Sequence, residues 1–305
     1  MAVLVIQAAW VVYSQTAKPP GRLRIERVKP DLYMISGEGG NVAVYVTSEG
    51  VVLVDDMFDR NHDDILAQVK SVTDRPLRYV INTHQHDDHA GGDLKMLPIA
   101  EVIAHKNVRT NLSHIKQPYY EDTPGTPIGL PRLTFADEMS VFVGGKEVRA
   151  THFGRGHTNG DVVVYFPELK LVHTGDLFLA QRPRPDASGR QRPPGAPIYV
   201  DYAQGGSFFD WTRTLDGALA LDFDTAIPGH GPVSTKADVA KFRSDVETMR
   251  TRLAGLVKAG QSKAQVLKVL EDDYGWRSTG CPPSPPTPGC LQFQQSDALM
   301  DELRK

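Results

Sequence analysis

The chain has 305 residues, 40% of them hydrophobic and 23% charged, ordinary for a soluble globular protein with room for one large core or two small ones. A formal net charge of -3 gives no electrostatic reason to bind nucleic acid, which favours a basic face. Two cysteines separated by a Pro-rich stretch exclude a cysteine-built zinc site.

Residues 1–17, MAVLVIQAAWVVYSQTA, run apolar and then turn polar, too short a stretch for a membrane span. They read as a secretory signal without its basic n-region, which places the mature protein in the periplasm or outside the cell. If they form a buried first strand instead, the protein is cytoplasmic. Residues 32–56 are β-rich runs broken by Gly-Gly and Ser-Glu-Gly, the pattern of hairpins. Ile65, Val69 and Val72 fall at helical spacing within 60–73, with His62 on the exposed side. YVINTH (79–84) reads as a buried strand continuing into the histidines, and VIAH (102–105) as another before a helix over 107–112. Residues 114–132 form a long loop in which His114, Tyr119 and Tyr120 are candidate substrate contacts.

Alternation predicts further hairpins over 133–153 and two strands over 161–178. The segment 182–197 is irregular; Arg182, Arg184, Arg190 and Arg192 are its anion patch, and Tyr199, Tyr202 and Phe208 are candidate pocket walls. A helix over 205–221 precedes a strand at 225–233. Helices then fill 235–258, with Val239, Phe242, Val246, Met249 and Leu253 on one face, followed by 262–271 and 296–304. The main domain is expected over 23–260, and 261–305 as a helical extension. In that extension Cys281 and Cys290 flank a Pro-rich loop, either as a disulfide or as two free thiols. Strands grouped ahead of helices suit sheet layers with helices outside.

The chemistry sits at HQHDDH (84–89). Alternate positions of an extended chain point the same way, so His84 and His86 can reach one ion, while Asp88 and His89 curl back after them. This donor set favours zinc, with iron and manganese as alternatives. A second ion needs donors from other strand ends. His157 in GRGHTNGD, Asp176 in HTGDLF and His230 in IPGHGP qualify, each beside glycines that let the chain bend.

These motifs, in this order over about residues 30–235, resemble the metallo-β-lactamase-fold metallohydrolase superfamily, in its glyoxalase II- and lactonase-like branches. The resemblance implies an αββα sandwich (α/β) with the site at one edge between the sheets. It implies His84, His86 and His157 on a first metal, Asp88, His89 and His230 on a second, and Asp176 bridging, with Asp55 an acidic neighbour at a strand end. β-Lactamases proper generally carry cysteine or serine where Asp176 stands, so the ligand set points away from them. The flavodiiron reductases usually carry glutamate where His86 stands.

The implied reaction is hydrolysis of an ester-like bond in a small molecule (a lactone, thioester or β-lactam) with two Zn2+ per chain, Asp88 adding a proton-holding role. Asp55, Thr83 and Thr158 are candidates for orienting the ligands, and His152 and His173 read as structural or supporting. The rivals are a mononuclear iron, persulfide dioxygenase-like oxidoreductase and a protein holding metal for structure. No stable membrane insertion is expected, and the oligomeric state is not legible.

Overall fold

The computed structural model describes residues 23–115, 127–180, 200–275 and 293–305, with side chains of the last segment from Ser296 on. The N-terminal signal segment, Tyr119, Tyr120, the four loop arginines, Tyr199 and both cysteines lie outside the described residues. Among the described residues no helix is long and apolar enough to cross a membrane.

Two mixed sheets stack face to face. The first begins as an antiparallel meander, β1 (Arg24–Lys29), β2 (Leu32–Ser36), β3 (Val42–Val46) and β4 (Val51–Val54). It continues parallel through β5 (Leu77–Ile81), β6 (Glu101–His105) and β7 (Leu133–Phe135). The crossovers carry α1 (His62–Val72), α2 (Asp87–Ala90), α3 (Asp93–Met96) and α4 (Lys106–His114). The second sheet runs in the order β13-β12-β11-β10-β9-β8. Its strands are β8 (Glu138–Val143), β9 (Lys146–Thr151), β10 (Val163–Phe166), β11 (Leu171–His173), β12 (Thr225–Ile227) and β13 (Ser234–Thr235). Helices α5 (Phe208–Leu219), α6 (Lys236–Lys258), α7 (Lys263–Tyr274) and α8 (Phe293–Leu303) complete the chain.

Side-chain alternation builds the layers. Val42, Val44, Val51 and Leu53 face outward onto Ile65, Val69 and Met96 of the first helical layer. Their neighbours Ala43, Tyr45, Val52 and Val54 face inward, onto Val164, Phe166, Val148 and Ile227 of the second sheet. Val163, Tyr165 and Val172 face the other way, onto Trp211, Val239, Val246, Met249 and Leu253. Strands buried on both faces therefore read as continuous apolar runs. The result is the α-β-β-α order that the resemblance implies. Burying each of these side chains contributes roughly 1.5–3 kcal/mol before entropy is counted.

Three local expectations change. The stretch 133–153 is not one hairpin system: β7 adds to the first sheet, and the β8–β9 hairpin edges the second. His62 is half-buried at the start of α1, not on an exposed face, and burial lowers its pKa. Phe208 lies in the core of the outer helical layer, with Tyr202 packed against it, so neither is a free pocket wall.

The C-terminal helices share that core. Val266, Leu270 and Tyr274 of α7 and Leu299, Met300 and Leu303 of α8 join one apolar cluster with α5, α6 and β10. Capping boxes at Thr235–Asp238 and Ser262–Gln265 start α6 and α7.

Candidate metal centre

The site lies at one edge of the sandwich, where β4, β5, β11 and β12 end. Sequence reading puts His84 and His86 on a strand, but β5 ends at Ile81. Asn82 N still donates to Ile103 O of β6 (2.9 Å), and the chain leaves the ladder at Thr83, which takes other partners. Its N–H donates to Asp55 Oδ1 (2.7 Å), and its carbonyl accepts from Val162 N in the second sheet's approach (2.8 Å). His84 and His86 then sit on a bend, rings edge-on with centroids 4.8 Å apart. Asp88 and His89 lie in the single turn of α2.

The other donors arrive on turns. Asp161 shapes the loop of His157: its carboxylate accepts from Gly156 N (3.1 Å), Thr158 N (3.0 Å) and Thr158 Oγ1 (2.6 Å). Thr158 thus serves its own turn. Asp176 sits in a tight turn after Gly175, whose φ of +49° places it in the left-handed region. His230 follows Gly229, whose N–H donates to Gly175 O (2.8 Å) and locks the two turns together. A Cβ on Gly229 would fall 1.9 Å from Asp176 Oδ1, and one on Gly40 2.1 Å from the His89 ring, so both close approaches need glycine. Asn41 ties the first sheet to the His230 loop, donating through Nδ2 to Pro228 O and Gly231 O (2.9 Å each).

All seven candidate residues converge. His84, His86 and His157 form one group able to hold an ion, and Asp88, His89 and His230 another. His86 Nδ1 lies 3.1 Å from His84 Nε2 and 2.8 Å from His157 Nε2. His230 Nε2 lies 3.3 Å from His89 Nε2 and 3.1 Å from Asp88 Oδ2. Asp176 stands between the groups. Its Oδ1 is 3.2 Å from His89 Nε2 and 3.5 Å from His230 Nε2, while Oδ2 is 3.6 Å from His157 Nε2.

The far nitrogens reveal which ring atoms face inward. His86 Nε2 meets Asp201 Oδ2 at 3.0 Å, and His89 Nδ1 meets Asp55 Oδ2 at 2.7 Å. A carboxylate only accepts, so each of these nitrogens carries a proton, and the opposite nitrogen is the one turned toward the other donors. Thr83 Oγ1 donates to Asp55 Oδ2 (2.8 Å) and is therefore left to accept from His84 Nδ1 (3.1 Å). That leaves His84 Nε2 turned toward them too. Nitrogens facing one another at hydrogen-bond distance must hold a proton or a metal cation between them. Asp176 Oδ1 is likewise buried without a sound hydrogen bond. The donor set, imidazole nitrogens and carboxylate oxygens, fits zinc.

The electrostatics agree. Burial works against a proton on His89, but the carboxylates of Asp88, Asp176 and Asp55 outweigh it and hold His89 well above the usual histidine range. Burial also opposes ionisation of Asp176, and His230, His89 and His157 overcome it. The second group is a negative pocket that demands positive charge. In the first, burial and the surrounding imidazoles hold His84 well below its usual range, neutral and able to coordinate.

Asp55 anchors Thr83 and His89 from a backbone φ of +64°, strained for a non-glycine residue. Asp201, Asp161 and Asn41 were not anticipated; Asp201 and Asn41 lie in segments without a metal motif, and Asp161 closes the GRGHTNGD motif in which only the histidine stands out. Four of the remaining five histidines are occupied elsewhere. His173 Nε2 donates to Asn41 O (3.0 Å), His105 and His152 stack with centroids 3.9 Å apart, and His114 bonds Thr110 O (2.7 Å) on the surface of α4.

Comparison with known proteins finds a match to the family model described as Metallo-beta-lactamase superfamily over residues 35–230. A metallo-beta-lactamase type 2 of Bacillus cereus is 27% identical over 214 residues, covering 68% of this chain and 74% of that protein. The metallo-beta-lactamase IND-1 of Chryseobacterium indologenes is 29% identical over 194 residues, 62% and 71%. Among solved structures, a metallo-beta-lactamase from Pontibacter korlensis aligns with a TM-score of 0.60 at 18% identity, over 74% of this chain and 99% of that one. The FIM-1 enzyme of Pseudomonas aeruginosa, solved in a mono-zinc form, aligns with a TM-score of 0.58 at 17% identity, over 77% and 98%. The two structures share the fold.

Proposed function

Since the chain belongs to the metallo-beta-lactamase superfamily, we propose that it is a binuclear zinc hydrolase cleaving an ester-like bond in a small molecule: a lactone, a thioester or a β-lactam. The observation that carries this reading is Asp176, whose two oxygens are divided between the two donor groups. In this reading His84, His86 and His157 hold one zinc, Asp88, His89 and His230 the other, and Asp176 spans both. Bound divalent zinc supplies hydroxide at neutral pH and an electrophilic partner for the carbonyl oxygen.

The chain's own groups do the rest. Asp201 and Asp55 hold the protons of the far nitrogens of His86 and His89, so the facing nitrogens are the ones aimed at the ions. Thr83 does the same for His84. Asp88, among the more exposed of the seven, turns Oδ2 to His230 and would carry a proton from the attacking water to the departing oxygen, sulfur or nitrogen of the substrate at Oδ1. The carboxylate at 176 favours lactones and thioesters over β-lactams, because the β-lactamases proper generally have cysteine or serine there. Export to the periplasm, from residues 1–17, belongs to the same proposal.

The test is elemental analysis of protein purified without added metal, then assays with a lactone, a thioester, nitrocefin and a phosphodiester. About two zinc per chain and chelator-sensitive hydrolysis are expected. One iron per chain without hydrolysis would overturn the reading in favour of oxygen-dependent sulfur chemistry.

A further inference from the structure

Glu302 is an acidic side chain buried far beyond the family segment, near the end of α8. A buried carboxylate needs compensation, and this one has four donors. Phe208 N (2.8 Å) and Phe209 N (3.2 Å) come from the first turn of α5, where backbone amides lack helical partners. Ser207 Oγ donates at 2.5 Å, although Ser207 already caps the same helix by accepting from Asp210 N (3.0 Å). The fourth donor is the Tyr202 hydroxyl, at 3.0 Å. Burial, with Glu302 facing it, holds that hydroxyl well above the usual phenol range, so it keeps its proton and donates.

A helix cap does not explain Tyr202. Tyr202 and Ser207 lie near the two ends of one short strap, residues 201–207, and Glu302 grips both. Along its length the strap lies on the metal loop. Asp201 N donates to His157 O (2.8 Å), Asn159 N to Gln204 O (3.1 Å) and Ser207 N to Gly156 O (2.8 Å). A Cβ at Gly206 would fall 2.4 Å from His157 O, so the two backbones touch. At the head of the strap, Asp201 Oδ2 receives His86 Nε2–H.

We infer that Glu302 is a positioning residue for the three-histidine pocket: by fixing the strap that carries Asp201 it sets the aim of His86, so the C-terminal helix works as part of the metal centre. This rests on the metal-binding reading of the site. Loss of a group that bonds a ligand histidine typically costs 10- to 100-fold in metal affinity. Glu302 acts one bond further out, so about a 3- to 10-fold loss is expected.

The experiment measures Co2+ affinity by chelator competition, with the visible absorption of the bound cobalt, in wild type, Glu302→Ala, Tyr202→Phe and Met300→Ala. Met300→Ala is a control that weakens the packing of α8 and leaves every hydrogen-bonding group of the strap and of Glu302 in place. Tyr202→Phe releases the Asp201 end and leaves the α5 cap intact, so it serves if Glu302→Ala does not fold. The proposal predicts weakened cobalt binding and a changed spectrum in Glu302→Ala and, less strongly, in Tyr202→Phe, with Met300→Ala matching wild type. Wild-type affinity and spectrum in both strap variants would overturn it, as would an equal loss in Met300→Ala. Wild type taking up no cobalt would fail the metal-centre reading itself, and this proposal with it.

Discussion

The two donor groups are built to different standards of rigidity. His84, His86 and His157 are almost wholly buried, and His86 is held from the far half of the chain by Asp201. In the second group only His89 is fully enclosed; Asp88 and His230 keep about a quarter of their side-chain surface, 24% and 22%. The first group is an all-imidazole pocket behind protein, the second a mixed, negative pocket beside solvent. Ions in the first are expected to exchange slowly, and those in the second to be the first lost to a chelator. The face where water and substrate must meet is the less enclosed one.

That contrast can be broken most severely at its buried side. His84→Ala should abolish binding in the first group, lower the metal count from about two to about one, and reduce hydrolysis by at least ~10²-fold; metal analysis beside initial rates checks it. Asp55→Asn should weaken both sides of the contrast together, because Asp55 supports His84 through Thr83 and His89 directly. Both affinities are expected to fall about 10- to 100-fold in a two-site chelator competition. Gly40→Ala should sharpen it: the new methyl collides with the His89 ring, so the second site weakens about 10-fold while the first is spared, read by the same titration.

The smallest effect concerns the ground beneath the second group. Burial holds the Asp93 carboxyl up at about 8, beside Asp56, whose pKa burial also raises. A carboxyl with a raised folded pKa gives stability that is full below its unfolded pKa, about 4, and is lost as pH rises through about 8. Asp93→Asn keeps the oxygen that accepts from Asn82 and removes the titration. Its melting temperature should therefore fall less than that of wild type between pH 5 and pH 8; a parallel decline would show that Asp93 is not the group responsible.

The seven donors were legible because histidine is scarce and these histidines recur at short spacings beside glycines, ten in the whole chain. Asp201 and Glu302 were not. Each is one of 37 acidic residues, and its partner lies roughly a hundred positions away, so no local pattern marks it. β3, β4 and β10 were readable as short continuous apolar runs, but not which residue faces which layer, because both faces are buried. The parting of β7 from β8 was not, since only Ala136 and Asp137 separate strands that join different sheets. The bend at Thr83 escaped for a related reason: the partners that pull it off the strand, Asp55 and Val162, come from opposite halves of the sandwich.

His84, His86, Asp88 and His89 hang from the first sheet, and His157, Asp176 and His230 from the second. An ion gripped between them is therefore also a clasp between the halves of the molecule. At free metal a hundredfold above its dissociation constant, one such ion adds about 2.7 kcal/mol to folding. Metal supply would then set how long the protein survives as well as how fast it works: a starved chain would open along the seam between its sheets and meet proteases sooner than a filled one.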